Sequence, residues 1–181
     1  MTEEDRRRWD DRYAQMGPAP RARLMPPSFL APHANLVPTE GQALDIACGQ
    51  GFGAAWLAER GLRVWGIDVS EVAIRQARDL AQRNHVEDRC RFDVIDLDDG
   101  LPEGPPVGLI LCNKFRDRRL DRTLIERLAP GGLLAIAVLS EVGVGPGPFR
   151  ATPGELTAAF ADLDTISTGE ADGRAWLLAR G

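Results

Sequence analysis

Residues 43–54 read ALDIACGQGFGA: a short apolar run carrying one carboxylate, Asp45, and then Gly49, Gly51 and Gly53 ahead of the next helical pattern. An apolar run of this length ending in glycines is a buried strand entering a tight turn, where backbone can come close to a ligand. Outward from this stretch, strand and helix patterns alternate. Arg63–Asp68 reads as the second strand, and Ser70 caps a helix running to about Asn84, with Val72, Ala73, Ala77, Leu80 and Ala81 on one face. Residues 90–97 and 107–112 read as strands three and four. Leu120, Leu124 and Leu128, four residues apart, predict a helix that Pro130, Gly131 and Gly132 stop before a fifth strand over 133–139. Thr152, Pro153 and Glu155 spell a capping box with proline at the first helical position, for a helix ending near Phe160. Residues 163–168 and 174–179 close the chain as two strands joined by a hairpin connection, Gly169 to Gly173.

Alternation of this kind predicts an α/β fold, a doubly wound and mainly parallel sheet with helices on both faces, to which the last hairpin adds antiparallel pairing. Its 181 residues predict one domain. Within it, residues 1–40 form an N-terminal helix and a Pro-rich lid or wrap, and residues 41–181 form the core. Residues 2–16 read as an amphipathic helix carrying Trp9 and Tyr13, and the adjacent Pro26 and Pro27 exclude a long helix in the segment that follows.

The formal net charge of -5 argues against a nucleic-acid partner, because phosphate binding leans on a basic surface. No apolar run approaches the roughly 20 residues that span a bilayer, and the charged N-terminus is no secretory signal. Cys48, Cys90 and Cys112 make neither a disulfide framework nor a zinc site, so no metal is expected and a reducing cytoplasm is.

In such a sheet the ligand lies beyond the carboxyl ends of the strands, after the first one. The spacing of Gly49, Gly51 and Ala54 also satisfies the dinucleotide pattern G-x-G-x-x-G/A. Three carboxylates favour a different ligand. Asp45 lies inside the strand, where it would attract a cation and repel a pyrophosphate. S-adenosylmethionine carries a sulfonium and an ammonium and no phosphate. Asp68 ends strand two and can accept from both ribose hydroxyls, a feature that dehydrogenases share. Asp96 ends strand three and can accept from an adenine amino group while Leu97 packs on the ring, although Asp96, Asp98 and Asp99 could equally be a solvated acidic turn.

The segments ALDIACGQGFGA, VWGIDVS, DVIDL and LAPGGLLAIAV, in this order over about residues 42–139, resemble the successive motifs of class I, Rossmann-like S-adenosylmethionine-dependent methyltransferases. Trp9-Asp10-Asp11-Arg12-Tyr13 and Pro27-Ser28-Phe29-Leu30 resemble the small tellurite-resistance and thiopurine-type branch. The resemblance implies a seven-stranded sheet in the order 3-2-1-4-5-7-6. It implies S-adenosylmethionine as cofactor, with contacts at Asp45, Cys48, Gly49, Gly51, Asp68, Val69, Asp96, Leu97, Cys112 and Asn113, and with Tyr13 closing over the methionine end. Tellurite-type members carry a longer final hairpin with basic and imidazole side chains, and the short Gly169 to Gly173 connection departs from it.

No catalytic residue is assigned, and methyl transfer requires little from the protein beyond alignment of acceptor, methyl and sulfur. The segment after strand four, Cys112-Asn113-Lys114-Phe115-Arg116, lacks the Asn/Asp-Pro-Pro-Tyr of amino-methylating families, and no proline precedes Cys112 for a cytosine-C5 mechanism. Lys114, Arg116, Arg118 and Arg119 cluster beside the predicted cleft, and Arg150 could join them to orient an anionic acceptor. The same arginines could instead pair with Asp117 and Asp121. Arg6 to Arg8 read as the exposed face of the first helix, and His33 could reach the cleft. The expected function is methyl transfer to a small molecule by a monomer or homodimer. A cofactor-binding protein without turnover and an NAD(P)-binding oxidoreductase are the alternatives.

Overall fold

Strands β1 (Gln42–Ile46), β2 (Arg63–Asp68), β3 (Cys90–Val94), β4 (Val107–Asn113), β5 (Leu128–Leu139), β6 (Asp164–Ala171) and β7 (Arg174–Arg180) form a sheet in the order β3-β2-β1-β4-β5-β7-β6 in the computed structural model, which describes residues 3–20, 23–147 and 150–181. The expected order and the antiparallel hairpin are both present: β7 runs antiparallel to β5 and β6, and the other pairs are parallel. Helices α1 (Glu3–Met16), α2 (Phe52–Glu59), α3 (Glu71–Arg83), α4 (Asp121–Arg127) and α5 (Glu155–Ala159) surround it.

The two-residue period of the strands divides the core into two layers. Ala43, Leu109, Leu111, Leu133 and Ala135 pack with Leu57 of α2 and Ile74 and Leu80 of α3. Their neighbours Leu44, Ile110, Cys112, Leu134 and Ile136 pack on the other face with Leu124 of α4, Leu156 of α5 and Phe160. Central strands buried on both faces read as near-continuous apolar runs, as residues 109–112 of β4 and 133–138 of β5 do. The chain moves outward from β1 to β3 and returns to β4 on the other side of β1. This reversal opens a cleft at the carboxyl ends of β1 and β4.

Several boundaries differ from the sequence reading. The third strand ends at Val94 rather than at 97, because the Asp96 carboxylate accepts from the Asp98 N–H at 3.0 Å and starts a 3-10 turn over Leu97–Asp99. Leu120 belongs to a 3-10 turn and Leu128 to β5, where it pairs with Val107, so α4 stops at Arg127 and Pro130 to Gly132 lie in an irregular part of the strand. Glu155 accepts from the Thr152 N–H at 3.0 Å as a capping box requires, but Pro153 precedes the helix and Gly154 takes the cap position. The last two strands extend to a two-residue turn, Asp172-Gly173, with φ of 50° and 74°. Two left-handed residues are what a tight hairpin turn of right-twisted strands demands.

The Pro-rich segment does not lie over the cleft as a whole. Ala19, Leu24, Leu30 and Val37 are buried in the α2 and α3 layer. Arg60, just past α2, donates to the Ala34 carbonyl at 3.0 Å, which holds the 3-10 helix Ala31–Leu36 at the amino end of the sheet. His33, which the sequence left free to reach the cleft, is in that helix.

Candidate active site

β1 delivers Asp45 and the glycine loop to the cleft. Cys48 donates its N–H to the Ile67 carbonyl at 3.0 Å, and Gly51 to the Cys48 carbonyl at 2.9 Å, closing the turn before α2. Gly51 has φ of 78°, and a Cβ on it would come 2.7 Å from the Ala77 methyl group of α3. No other residue fits that conformation and that contact together.

Asp68, at the end of β2, is buried and accepts from the Gly49 N–H at 2.8 Å and the Ser70 N–H at 2.9 Å. Burial raises its pKa above the ordinary carboxylate value, and these backbone donors oppose the rise. Asp68 therefore fixes the glycine loop and still has lone pairs for hydroxyl donors. Asp96 accepts from the Asp98 N–H and faces the Arg6 guanidinium at 3.7 Å. Leu97 and Val69 are buried beside these two carboxylates in the chain, and Asn113 is half-buried at the end of β4.

Asp45 differs from both. It is 3% exposed and its Oδ2 has no hydrogen-bond partner. Burial raises its carboxyl to about 7, against a lowering by the Ala54 N–H, and the Asp68 charge raises it further. A buried carboxylate with one oxygen unpaired is costly, and a cationic ligand at the loop would reduce that cost. The three acids suit a nucleoside carrying positive charge and oppose a pyrophosphate.

The helix α1 lies against this edge. Tyr13 covers the loop so closely that a Cβ on Gly49 would be 2.7 Å from the Tyr13 Oη. Burial raises the Tyr13 hydroxyl above its ordinary value, and the neighbouring Asp68 charge adds to the rise. Asp10 accepts from the Ser70 hydroxyl at 2.6 Å and from the Val72 N–H at 3.2 Å, joining α1 to the first turn of α3. Arg6 is exposed, as the sequence reading placed it, but it also faces Asp96; Asp10 entered that reading only within the Trp9 to Tyr13 motif, and Gln50 and Gln76 were not singled out. Arg6, Asp10 and Tyr13 recur at i, i+4 and i+7, so one face of α1 carries all three. That spacing was the available signal, hidden because the face is polar.

The arginines singled out for an acceptor are engaged elsewhere. Arg116, with a side chain 4% exposed, bonds to both Asp121 oxygens and to Glu155 at 2.8 Å. Arg118 pairs with Glu155, and Arg119 with Asp117 and Asp98. Arg150 donates to the Ser140 carbonyl at 2.8 Å. Lys114 is exposed in a left-handed conformation at φ of 68°. The thiols are inert by burial: Cys112 is raised to about 12 and donates to the Phe115 carbonyl, and Cys48 lies well above the ordinary thiol value.

Residues 43–132 match the family model described as a methyltransferase domain. The chain is 36% identical over 103 residues to methyltransferase GfsG of Streptomyces halstedii, covering 53% of this chain and 37% of the relative. It is 31% identical over 112 residues to ribosomal RNA small subunit methyltransferase C of Alcanivorax borkumensis, covering 56% and 33%. The chain thus spans about a third of the length of these curated relatives. The crystal structure of TehB from Haemophilus influenzae superposes with a TM-score of 0.76 at 16% identity, over 95% of this chain and 66% of that one, a likeness of fold. With the sheet order, the glycine loop and its row of carboxylates, these matches show that the chain belongs to the class I, Rossmann-like S-adenosylmethionine-dependent methyltransferases.

Proposed function

We propose that this protein transfers the methyl group of S-adenosylmethionine to a small-molecule acceptor. The observation that carries the cofactor half is Asp45: a buried carboxylate beside the glycine loop whose Oδ2 lacks a partner, matched to a ligand with cationic groups. Asp68 would take the ribose hydroxyls, Asp96 the adenine amino group, and Tyr13 would cover the methionine end. When bound, the cofactor supplies an activated methyl: an acceptor lone pair forms the new bond to carbon while the carbon–sulfur pair returns to sulfur. The chain's residues contribute positioning and exclusion of water, which can supply roughly 7–11 kcal/mol.

The small-molecule half rests on charge. Net charge is -5, and Arg116, Arg118 and Arg119 are neutralised by their own carboxylates, leaving little to attract a polyanion. The same pairing removes the reason to expect an anionic acceptor. Three free thiols suit a reducing, cytoplasmic setting. A relative named for ribosomal RNA makes a nucleic-acid acceptor the second reading. Calorimetry with S-adenosylmethionine, S-adenosylhomocysteine and NADH, repeated on Asp96→Ala and Asp68→Asn, tests the cofactor. Binding of the first two that weakens in both variants supports the reading, and binding of NADH alone overturns it. Turnover on a panel of small alcohols, amines, thiols and carboxylates, with an RNA transcript as one arm, separates the two acceptor classes. Cofactor binding with no product in any arm would point to a binding protein.

A further inference from the structure

We propose that Gln50 and Gln76 are positioning residues whose side-chain amides clamp the end of α1, setting Tyr13 against the glycine loop. The inference rests on the cofactor reading above in one respect: the face of the loop that Tyr13 covers is the face the cofactor would use. Three consecutive loop residues meet three different neighbours. Gly49 lies under Tyr13, Gly51 lies under Ala77, and Gln50 reaches between them. Gln50 Nε2 donates to the Gly17 carbonyl at 2.9 Å and to Gln76 Oε1 at 2.9 Å, using both of its N–H groups. Gln76 Nε2 donates to the Tyr13 carbonyl at 3.0 Å.

The two carbonyls caught this way need donors. Tyr13 lies in the last four residues of α1, whose carbonyls have no partner within the helix, and Gly17 is the residue at which the chain turns away with φ of 70°. The glycine turn itself does not call for a long amide at position 50, yet Gln50 is held 8% exposed, a costly burial unless hydrogen-bonded. The amide chemistry suits the place. Asp68 and Asp45 already put two carboxylates at this loop, so a glutamate at 50 or 76 would add charge where Gln50 and Gln76 supply neutral donors. Asp10 pins the middle of α1 to α3, and the clamp fixes its last turn.

Tyr13 is the chain's one tyrosine, so ring-labelled tyrosine gives a single magnetic resonance signal that reports this contact alone. Wild-type protein is expected to show a buried ring signal that shifts on addition of S-adenosylmethionine. In Gln76→Leu and Gln50→Leu the signal is expected to move to the position of solvent-exposed tyrosine. Kd for S-adenosylmethionine should rise about tenfold through faster release, and the double variant should bind no more weakly than the worse single one. An unchanged ring signal in folded Gln76→Leu overturns the clamp. Should Gln50→Leu fail to fold, Gln76→Leu decides, since Gln76 is half-buried on a helix surface. If wild-type protein binds no S-adenosylmethionine, the cofactor reading falls, while the ring signal still decides whether Gln50 and Gln76 hold Tyr13.

Discussion

Asp45 must discard its charge or acquire a counter-charge, and this gives it a measurable signature. Its carboxyl is raised from 3.8 to about 7, so the folded protein binds a proton there that the unfolded chain releases. Stability from this group is therefore present at about pH 4 and is lost as pH rises to about 7. A shift of about three units corresponds to roughly 4 kcal/mol. Melting temperature followed from pH 4 to 8 should fall more steeply in cofactor-free wild type than in Asp45→Asn; parallel curves would contradict the assignment. The thiols make a second prediction. Cys90 and Cys112 are each raised to about 12, and burial together with the Asp45 and Asp68 charges raises Cys48 well above its ordinary value, so none is a ready nucleophile. A thiol reagent at pH 8 should label no cysteine rapidly in native protein and all three in denaturant. Asp68 was legible in the sequence because the end of β2 is, and Asp45 because it is the one carboxylate in an apolar run, whereas Asp96 lies beyond the end of β3 and caps the turn that follows. Gln50 was not legible, since a glycine turn tolerates many residues between its glycines and only the folded contact with Gly17 gives it a role.

At the scale of elements, Arg116 shows why a cluster of charge in sequence leaves its partners open: Asp121 was among those the sequence offered, and Glu155 was not. The basic run after β4 was visible, but Glu155 lies 39 residues further on, at the start of α5, and only the fold brings it to Arg116. Arg116 ties the segment after β4 to both helices, and removing it would leave Asp121 and Glu155 without their shared cation. Glu155 is held at about 2 by Arg118, the Thr152 N–H and Arg116, against the opposing effect of burial. Arg116→Ala is expected to destabilise the fold by about 3–5 kcal/mol, as breaking a buried pair does. A urea denaturation curve should show the loss, with KM for S-adenosylmethionine unchanged in protein that remains folded. A large rise in KM with stability intact would return Arg116 to the binding site. Elements with a strict period were read to within a residue, as α3 and β2 were. The end of α4 was not, because Leu128 fits the apolar face of a helix and the pairing with Val107 that draws it into β5 lies outside any local window.

For the whole molecule, the same carboxylates couple cofactor binding to pH and to stability. A ligand that binds only the folded state adds RT ln(1 + [L]/Kd), about 2.7 kcal/mol at a hundredfold excess over Kd. In a chain of this length that corresponds to a rise in melting temperature of roughly 5–10 °C. S-adenosylmethionine should produce this rise at pH 8, and NADH should produce none. The size of the rise should depend on pH in a stated direction. A cationic ligand favours ionised Asp45, which below about pH 7 must first release its proton, so affinity should fall about tenfold for each unit below that value. Net charge and the closure of α1 over the loop do not produce this dependence, since neither titrates at Asp45. The discriminating experiment is therefore the thermal shift at pH 8 and at pH 6, at equal ligand concentration, in wild type and Asp45→Asn. A shift that shrinks at pH 6 in wild type and stays level in the variant places the proton on Asp45. A shift equal at both pH values in wild type would mean that the buried carboxylate is already ionised before the cofactor arrives.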